Sequence, residues 1–199
     1  MIGRELKKKS ETQAHLVFID ESGFMMAPLL RRTQAPRGET PILKQKASHR
    51  DHVSVISALS YSPARNSTSL YFQTLPEGYF NNQRVAAFVR QLLRHLRGSV
   101  IILWDRGNMH KGPPIRQLEA DFPRLSLEFL PPYAPDLNPV EALWNYVKYD
   151  ELANYAPTGV EELDRTLTAQ LHDVRQNRNR LRTFYSISEL PALRTTLAS

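Results

Sequence analysis

The 199-residue chain has no cysteine, which excludes a disulfide framework, a thiol nucleophile and a thiolate-bound zinc site. Nor does it hold a long apolar run: the longest, residues 25–30 and 100–104, fall far short of the roughly 20 residues that a membrane-spanning helix needs. The basic start, with Arg4, Lys7, Lys8 and Lys9, leads into polar residues 10–13 rather than an apolar segment, so no secretory signal is expected. Internal repeats and low-complexity tracts are missing as well. What is present is ordinary globular composition, 41% hydrophobic and 23% charged, enough for one domain with a sizeable core. Lysine and arginine number 26 against 20 aspartates and glutamates, a net charge of +6. That excess suits a polyanionic partner without requiring one.

The order of elements carries the fold argument. Apolar residues 16–19 stop at Asp20 and are followed by Ser22 and Gly23, which predicts a buried strand ending in a turn. Residues 52–59 and 69–75 have strand composition and flank a turn-rich link at 62–67, the signature of a hairpin. Val85, Phe88, Val89, Leu92, Leu93 and Leu96 recur at three and four residues, one face of a helix that Asn81 caps and Gly98 closes. Residues 100–104 read as a central strand covered on both faces and ending at Asp105. Pro113 and Pro114 open a second helix, residues 125–129 alternate as a strand, and Asn138-Pro139-Val140-Glu141 opens a helix whose Val140, Leu143, Trp144 and Val147 face the core. Residues 159–185 read as helical and increasingly basic. The predicted order is βββαβαβα plus a C-terminal helical tail, an α/β mixed sheet of the ribonuclease-H-like fold. The expected organisation is a basic lead at 1–14, a core domain at 15–150 and a basic helical tail at 151–199, packed on that domain or extending it.

Asp20 and Asp105 each end an apolar strand, and ligands of open α/β sheets bind at the carboxyl ends of strands. If those strands are neighbours, the two carboxylates converge. Glu141 opens the helix after the next strand, with 35 residues between it and Asp105, and can reach the same sheet end. Three carboxylates make an oxygen-rich pocket suited to hard Mg²⁺ or Mn²⁺, and two such ions can support phosphodiester displacement. Each acid also has a structural reading. An aspartate after a strand often caps a turn, and Asn138 with Glu141 has the spacing of a capping box, which needs no metal.

Three stretches make the sequence specific: Phe18-Ile19-Asp20-Glu21-Ser22-Gly23; Leu103-Trp104-Asp105 with His110; and Leu130-Pro131-Pro132-Tyr133-Ala134-Pro135-Asp136-Leu137-Asn138-Pro139-Val140-Glu141. They resemble the DDE catalytic domain of mariner-superfamily transposases, in particular those of bacterial insertion sequences, from about residue 15 to residue 148. The resemblance implies that Asp20, Asp105 and Glu141 are the catalytic, metal-binding triad, holding two Mg²⁺ or Mn²⁺ ions for DNA strand cleavage and strand transfer. It implies DNA partners at the element's ends and target, a homodimer in the active complex, and a bacterial cytoplasmic protein that joins the nucleoid when bound to DNA. The family commonly has Asn directly after its second acid, whereas Arg106-Gly107-Asn108 follows Asp105 here. Asp136, in the extended segment before the helix, reads as a motif-shaping residue, and Glu21 as pointing away from Asp20 if the strand persists.

Positive charge is uneven. Arg31, Arg32, Arg37, Lys44, Lys46 and Arg50 face only Glu39 within residues 31–50; the segment is either a DNA-backbone contact or a solvated hairpin. Arg175, Arg178, Arg180 and Arg182 form a second cluster, suited to DNA or to another subunit. His110 and Lys148 complete the DNA-contact candidates, with a structural role for His110 as the alternative. Members of the resembled family carry helix-turn-helix modules ahead of the catalytic domain, and about 14 residues precede the first strand here. The expectation is therefore a catalytic half whose recognition module is encoded upstream, a frameshift product or a truncated relic. Two rival readings stay open: a ribonuclease-H-like nuclease without strand transfer, and a catalytically silent DNA-binding or regulatory fragment.

Overall fold

The computed structural model describes residues 13–27, 29–31 and 51–188. Arg32, Arg37, Lys44, Lys46 and Arg50 lie outside the described residues, as do most of the N-terminal lead and residues 189–199. Five strands, β1 (His15–Met25), β2 (His52–Ser62), β3 (Ser67–Pro76), β4 (Val100–Trp104) and β5 (Leu125–Phe129), form one sheet in the order β3-β2-β1-β4-β5. β1, β2 and β3 pair antiparallel, while β1, β4 and β5 pair parallel. This is the ribonuclease-H-like α/β sheet that the element order predicts.

Side-chain alternation sends successive residues to opposite faces, and both faces are covered. Leu16 and Phe18 of β1, with Ile101 and Leu103 of β4, belong to one apolar core. Val17 and Ile19, with Val100, Ile102 and Trp104, belong to the other. Helices α1 (Asn82–His95) and α2 (Pro113–Asp121) cover the second face. Asn81 caps α1 by accepting from the Arg84 backbone N–H at 3.0 Å. The helix ends at His95, short of Gly98. There Arg124, at the entry to β5, donates to the carbonyls of Leu93 and Leu96, which the helix end leaves without intrahelical partners, and to that of Gly98 in the loop beyond.

The first face is covered by α3 (Pro139–Tyr146), α4 (Val160–Gln176) and α5 (Arg178–Ile187). A turn of π-helix, Val147–Glu151, prolongs α3. Asn177 breaks the tail into two helices and caps the second, accepting from the Arg180 N–H at 3.0 Å. Leu163, Leu167, Leu171 and Val174 of α4 and Leu181, Phe184 and Tyr185 of α5 are buried in the same core as β1 and α3. Helices α4 and α5 thus form one wall of the core that β1 and α3 share.

One element departs from its expected bounds. β1 does not stop at Asp20 but runs to Met25, since β2 supplies a ladder partner at every position to Met25↔His52. Polar Asp20, Glu21, Ser22 and Gly23 imitate a turn in sequence because β4 has ended beside them and the sheet there borders a cleft.

Because Leu167 is wholly buried at the centre of α4, Leu167→Ala should cost about 2–5 kcal/mol in urea unfolding. A loss below about 1 kcal/mol would show the tail to be dispensable to the core.

Candidate active site

The ladder between β1 and β4 fixes the site. Phe18 lies opposite Leu103, so Asp20 and Asp105, each two residues further along, lie at the same height, Asp20 still within β1 and Asp105 just past the end of β4. Their side chains share the parity of Phe18 and Leu103 and so turn toward the face that α3 covers. Asn138 starts α3, its side chain accepting from the Val140 N–H at 3.2 Å, and the first turn presents Glu141 to the same end of the sheet. Asp20, Asp105 and Glu141 line one cleft of about 410 Å³, walled by residues 130–135. Asp136 does not line it and faces a neighbouring cleft.

The capping reading of Glu141 can be compared with the bonds present. The Asn138 N–H, which a capping-box glutamate would accept, donates instead to the Pro135 carbonyl at 2.8 Å. Glu141 is left to interact with Asp20 and Lys148.

Asp20 is mostly buried, and Trp144, one helical turn after Glu141, donates its indole N–H to Asp20 Oδ2 at 3.0 Å. Trp144 itself packs edge-on against Phe24, so the indole is fixed from both sides. Burial, then the negative charges of Glu141 and Glu21, push the Asp20 carboxyl from its ordinary 3.8 up to about 7. Lys148, half-buried with its ammonium 5.3 Å from the centre of the Phe24 ring, is lowered by burial even though Glu141 and Asp20 pull it the other way.

Asp105 sits in a loop, with 62% of its side chain exposed, yet it is tied down. Its Oδ1 accepts from the Gly107 N–H at 2.8 Å and lies 2.7 Å from His110 Nδ1. A Cβ at Gly107 would come 2.9 Å from that oxygen, so glycine allows the close approach. His110, a candidate for DNA contact by sequence, is 1% exposed and reaches inward. Its ring stacks on Trp104 at 4.6 Å and 8°, and its Nε2 meets Glu21 Oε1 at 3.1 Å. Burial disfavours a charged ring, but the bond and charge of Glu21 and the charge of Asp105 outweigh it and raise the His110 pKa.

Among the described residues, three of the other basic candidates make contacts within the chain. Arg31 pairs with exposed Asp150 at 2.7 Å, a contact that surface screening makes weak. Arg180 lies 4.0 Å above the Tyr146 ring, and Arg182 donates to the Asn66 carbonyl. Sequence reasoning passed over Trp144, whose helical spacing marks it as core, and Tyr133, wholly exposed on the cleft wall. Pro131, Pro132 and Pro135 around Tyr133 were the available signal, since they stiffen the segment that displays it.

As a donor set the cleft offers carboxylate oxygens, the chemistry of hard divalent cations. Among the described residues no three His, Asp or Glu side chains are gathered tightly enough to ligate one ion by themselves. Mg²⁺ is commonly held by one or two carboxylates with substrate phosphates completing its shell.

The family model described as DDE superfamily endonuclease matches residues 15–164, from β1 into α4. Among solved structures, the chain is similar to the Mos1 transposase paired-end complex with left transposon end, at 17% identity and a TM-score of 0.63, over 98% of this chain and 59% of that one. It is similar to the Mos1 mariner paired end complex with Mn, at 18% identity and 0.63, over 98% and 59%. The catalytic domain of Mos1 mariner transposase gives 14% identity and a TM-score of 0.60, over 99% and 87%. At such identities the likeness is one of fold. The chain spans about three-fifths of the full Mos1 chains it matches. No curated protein sequence matches it.

The raised Asp20 pKa has a stability consequence. The folded chain holds that proton more tightly than the unfolded chain, so the associated stability is full below about pH 4 and is lost as pH rises through about 7. Asp20→Asn, assayed in a chelator, should raise the thermal midpoint at pH 7.5 by at least about 2–4 °C, the shift that 1 kcal/mol makes in a chain this size. The advantage should vanish near pH 4. A lower midpoint for the variant at pH 7.5 would mean that the carboxylate carries no such strain.

Proposed function

The chain belongs to the DDE superfamily endonucleases, and on that premise we propose that it is the catalytic domain of a transposase that cuts and rejoins DNA at the ends of an insertion sequence. The observation that carries this reading is the single cleft shared by Asp20, Asp105 and Glu141. Asp20, Asp105 and Glu141 would hold two divalent ions, Mg²⁺ or Mn²⁺. Such ions supply positive charge that activates an attacking oxygen and offsets charge on the leaving oxygen of a phosphodiester.

The chain's own residues do the rest. Trp144 fixes the Asp20 carboxylate against rotation, and the first turn of α3 holds Glu141 across from it. The rigid proline-bearing wall at 130–135 bounds the cleft on the side that Tyr133 overlooks. Water serves as the attacking group in strand cutting and the freed 3′-hydroxyl in strand joining, both aimed in line at phosphorus from the same pocket. A raised Asp20 pKa suits the exchange, because binding a cation displaces a proton that the buried site otherwise retains. Lys148, beside the acids, and the cations of residues 31–50 are the contacts for the DNA backbone. The active assembly is a homodimer with a recognition module encoded upstream, and the Mos1 chains solved in paired-end complexes support DNA ends as the partner. DNA held by loop cations alone binds with little sequence preference.

Glu141→Gln should lower Mg²⁺-dependent cleavage of element-end DNA by at least about 10³-fold, the order of loss expected when a transition-state charge contact is removed, with the thermal midpoint nearly unchanged. Asp136→Asn should retain cleavage. Cleavage is followed on a denaturing gel with the chain joined to its recognition module. If Glu141→Gln cuts like the parent while Asp136→Asn is inert, the third acid is Asp136. Joined products between donor ends and a target plasmid separate a transposase from a simple nuclease.

Binding of the isolated chain to DNA should fall steeply from 50 to 200 mM salt, with a slope near −0.9 per phosphate neutralised. Tight, sequence-selective binding that ignores salt would reveal a recognition element within these residues.

A further inference from the structure

Asp105 is the most exposed of the three acids' immediate ties: it follows the end of β4, in a loop, where nothing in the sheet ladder restrains its rotamer. Yet its Oδ1 accepts from the Gly107 N–H at 2.8 Å and lies 2.7 Å from His110 Nδ1, whose hydrogen bond goes to the Asp105 backbone carbonyl at 3.2 Å. Its Oδ2 has no protein hydrogen bond among the described residues. His110 cannot turn away, for three reasons. The short turn at Asn108–His110 is closed by the His110 N–H donating to the Gly107 carbonyl at 3.1 Å. The ring lies flat against Trp104. On its far side, Nε2 is met by Glu21 Oε1 at 3.1 Å. Glu21 comes from β1, on the opposite face from Asp20, and 13% of its side chain is exposed. A carboxylate next to the catalytic centre is thus spent on a histidine.

We propose that Glu21 and His110 are positioning residues for Asp105: the pair locks Oδ1 against the loop so that Oδ2 alone is presented to the divalent ion. The inference rests on the reading of Asp105 as a metal ligand. It assigns β1 two jobs from adjacent residues, since Asp20 enters the cleft from one face while Glu21, through His110, steadies the other aspartate from the opposite face. Partners one shell removed from an ion orient its ligands, and losing them commonly costs 10- to 100-fold in metal affinity. Gly107 belongs to the same device, because only a residue without a Cβ leaves room for Oδ1 at this distance.

The test measures Mn²⁺ affinity of the full chain directly, by titration followed with electron paramagnetic resonance, without DNA. Glu21→Leu and His110→Phe should each weaken Mn²⁺ binding about 10- to 100-fold, with folded far-ultraviolet dichroism retained, since Phe preserves the stack on Trp104. Glu21→Gln should bind within about threefold of the parent, because its amide can either accept from or donate to Nε2. DNA binding in a chelator should be the same for all three. Unchanged Mn²⁺ affinity in Glu21→Leu and His110→Phe would overturn the proposal, and so would a loss in Glu21→Gln as large as in Glu21→Leu. Asp105→Asn is the control for the underlying reading: if it binds Mn²⁺ like the parent, Asp105 is no ligand, and the proposal falls together with that reading. If either apolar variant fails to fold, Gly107→Ala, which crowds Oδ1 from the loop side, must itself weaken Mn²⁺ binding for the proposal to stand.

Discussion

Phe18 opposite Leu103 in the parallel ladder of β1 and β4 is the constraint on which the site depends. From that one register, Asp20 and Asp105 reach the same height at the same end of the sheet. Shifting the ladder by a single residue would send one aspartate to the opposite face. Register is well specified here because both faces of β1 and β4 are buried, with Phe18 and Leu103 in one core and Ile19, Ile102 and Trp104 in the other. A slip would exchange the residues of two differently shaped cores. The packing that makes the domain stable is therefore also what aligns its carboxylates.

The site then adds order that the sheet does not supply. Asp20 is held by Trp144, whose neighbour one turn earlier is Glu141. α3 thus delivers an acid and fixes another with one helical face. The cost is electrostatic: burial, with the negative charges of Glu141 and Glu21, pushes the Asp20 carboxyl up to about 7.

The strand and helix sequence was legible almost throughout, because residues 100–104 lack alternation, residues 125–129 show it, and Val85 to Leu96 repeat at helical spacing. The end of β1 was not. Asp20-Glu21-Ser22-Gly23 has turn composition, and only the presence of β2 alongside, a partner remote in sequence, keeps it extended. Asp20 lies inside β1, which runs on to Met25, whereas Asp105 and Glu141 were legible as residues at element ends. The inward reach of His110 was not, since a lone histidine in a loop carries no sign of its partners. Glu21 is 89 residues away along the chain and becomes its neighbour only through the β1–β4 pairing. Likewise Trp144 announces itself as core by spacing, while its indole N–H, which matters to Asp20, follows no periodicity. The basic cluster at 175–182 shows the converse: charge that looks free in sequence is in part committed to Tyr146 and Asn66.

The central claim is that Asp20, Asp105 and Glu141 form one divalent-cation pocket. The most direct measurement is anomalous X-ray scattering from crystals of the chain equilibrated with Mn²⁺. The account predicts a peak inside the cleft, within the roughly 2.0–2.6 Å of oxygen ligation from carboxylates of Asp20 and Asp105 and facing Glu141. Saturating Mn²⁺ that gives ordered peaks elsewhere on the protein and none between these three residues would contradict it.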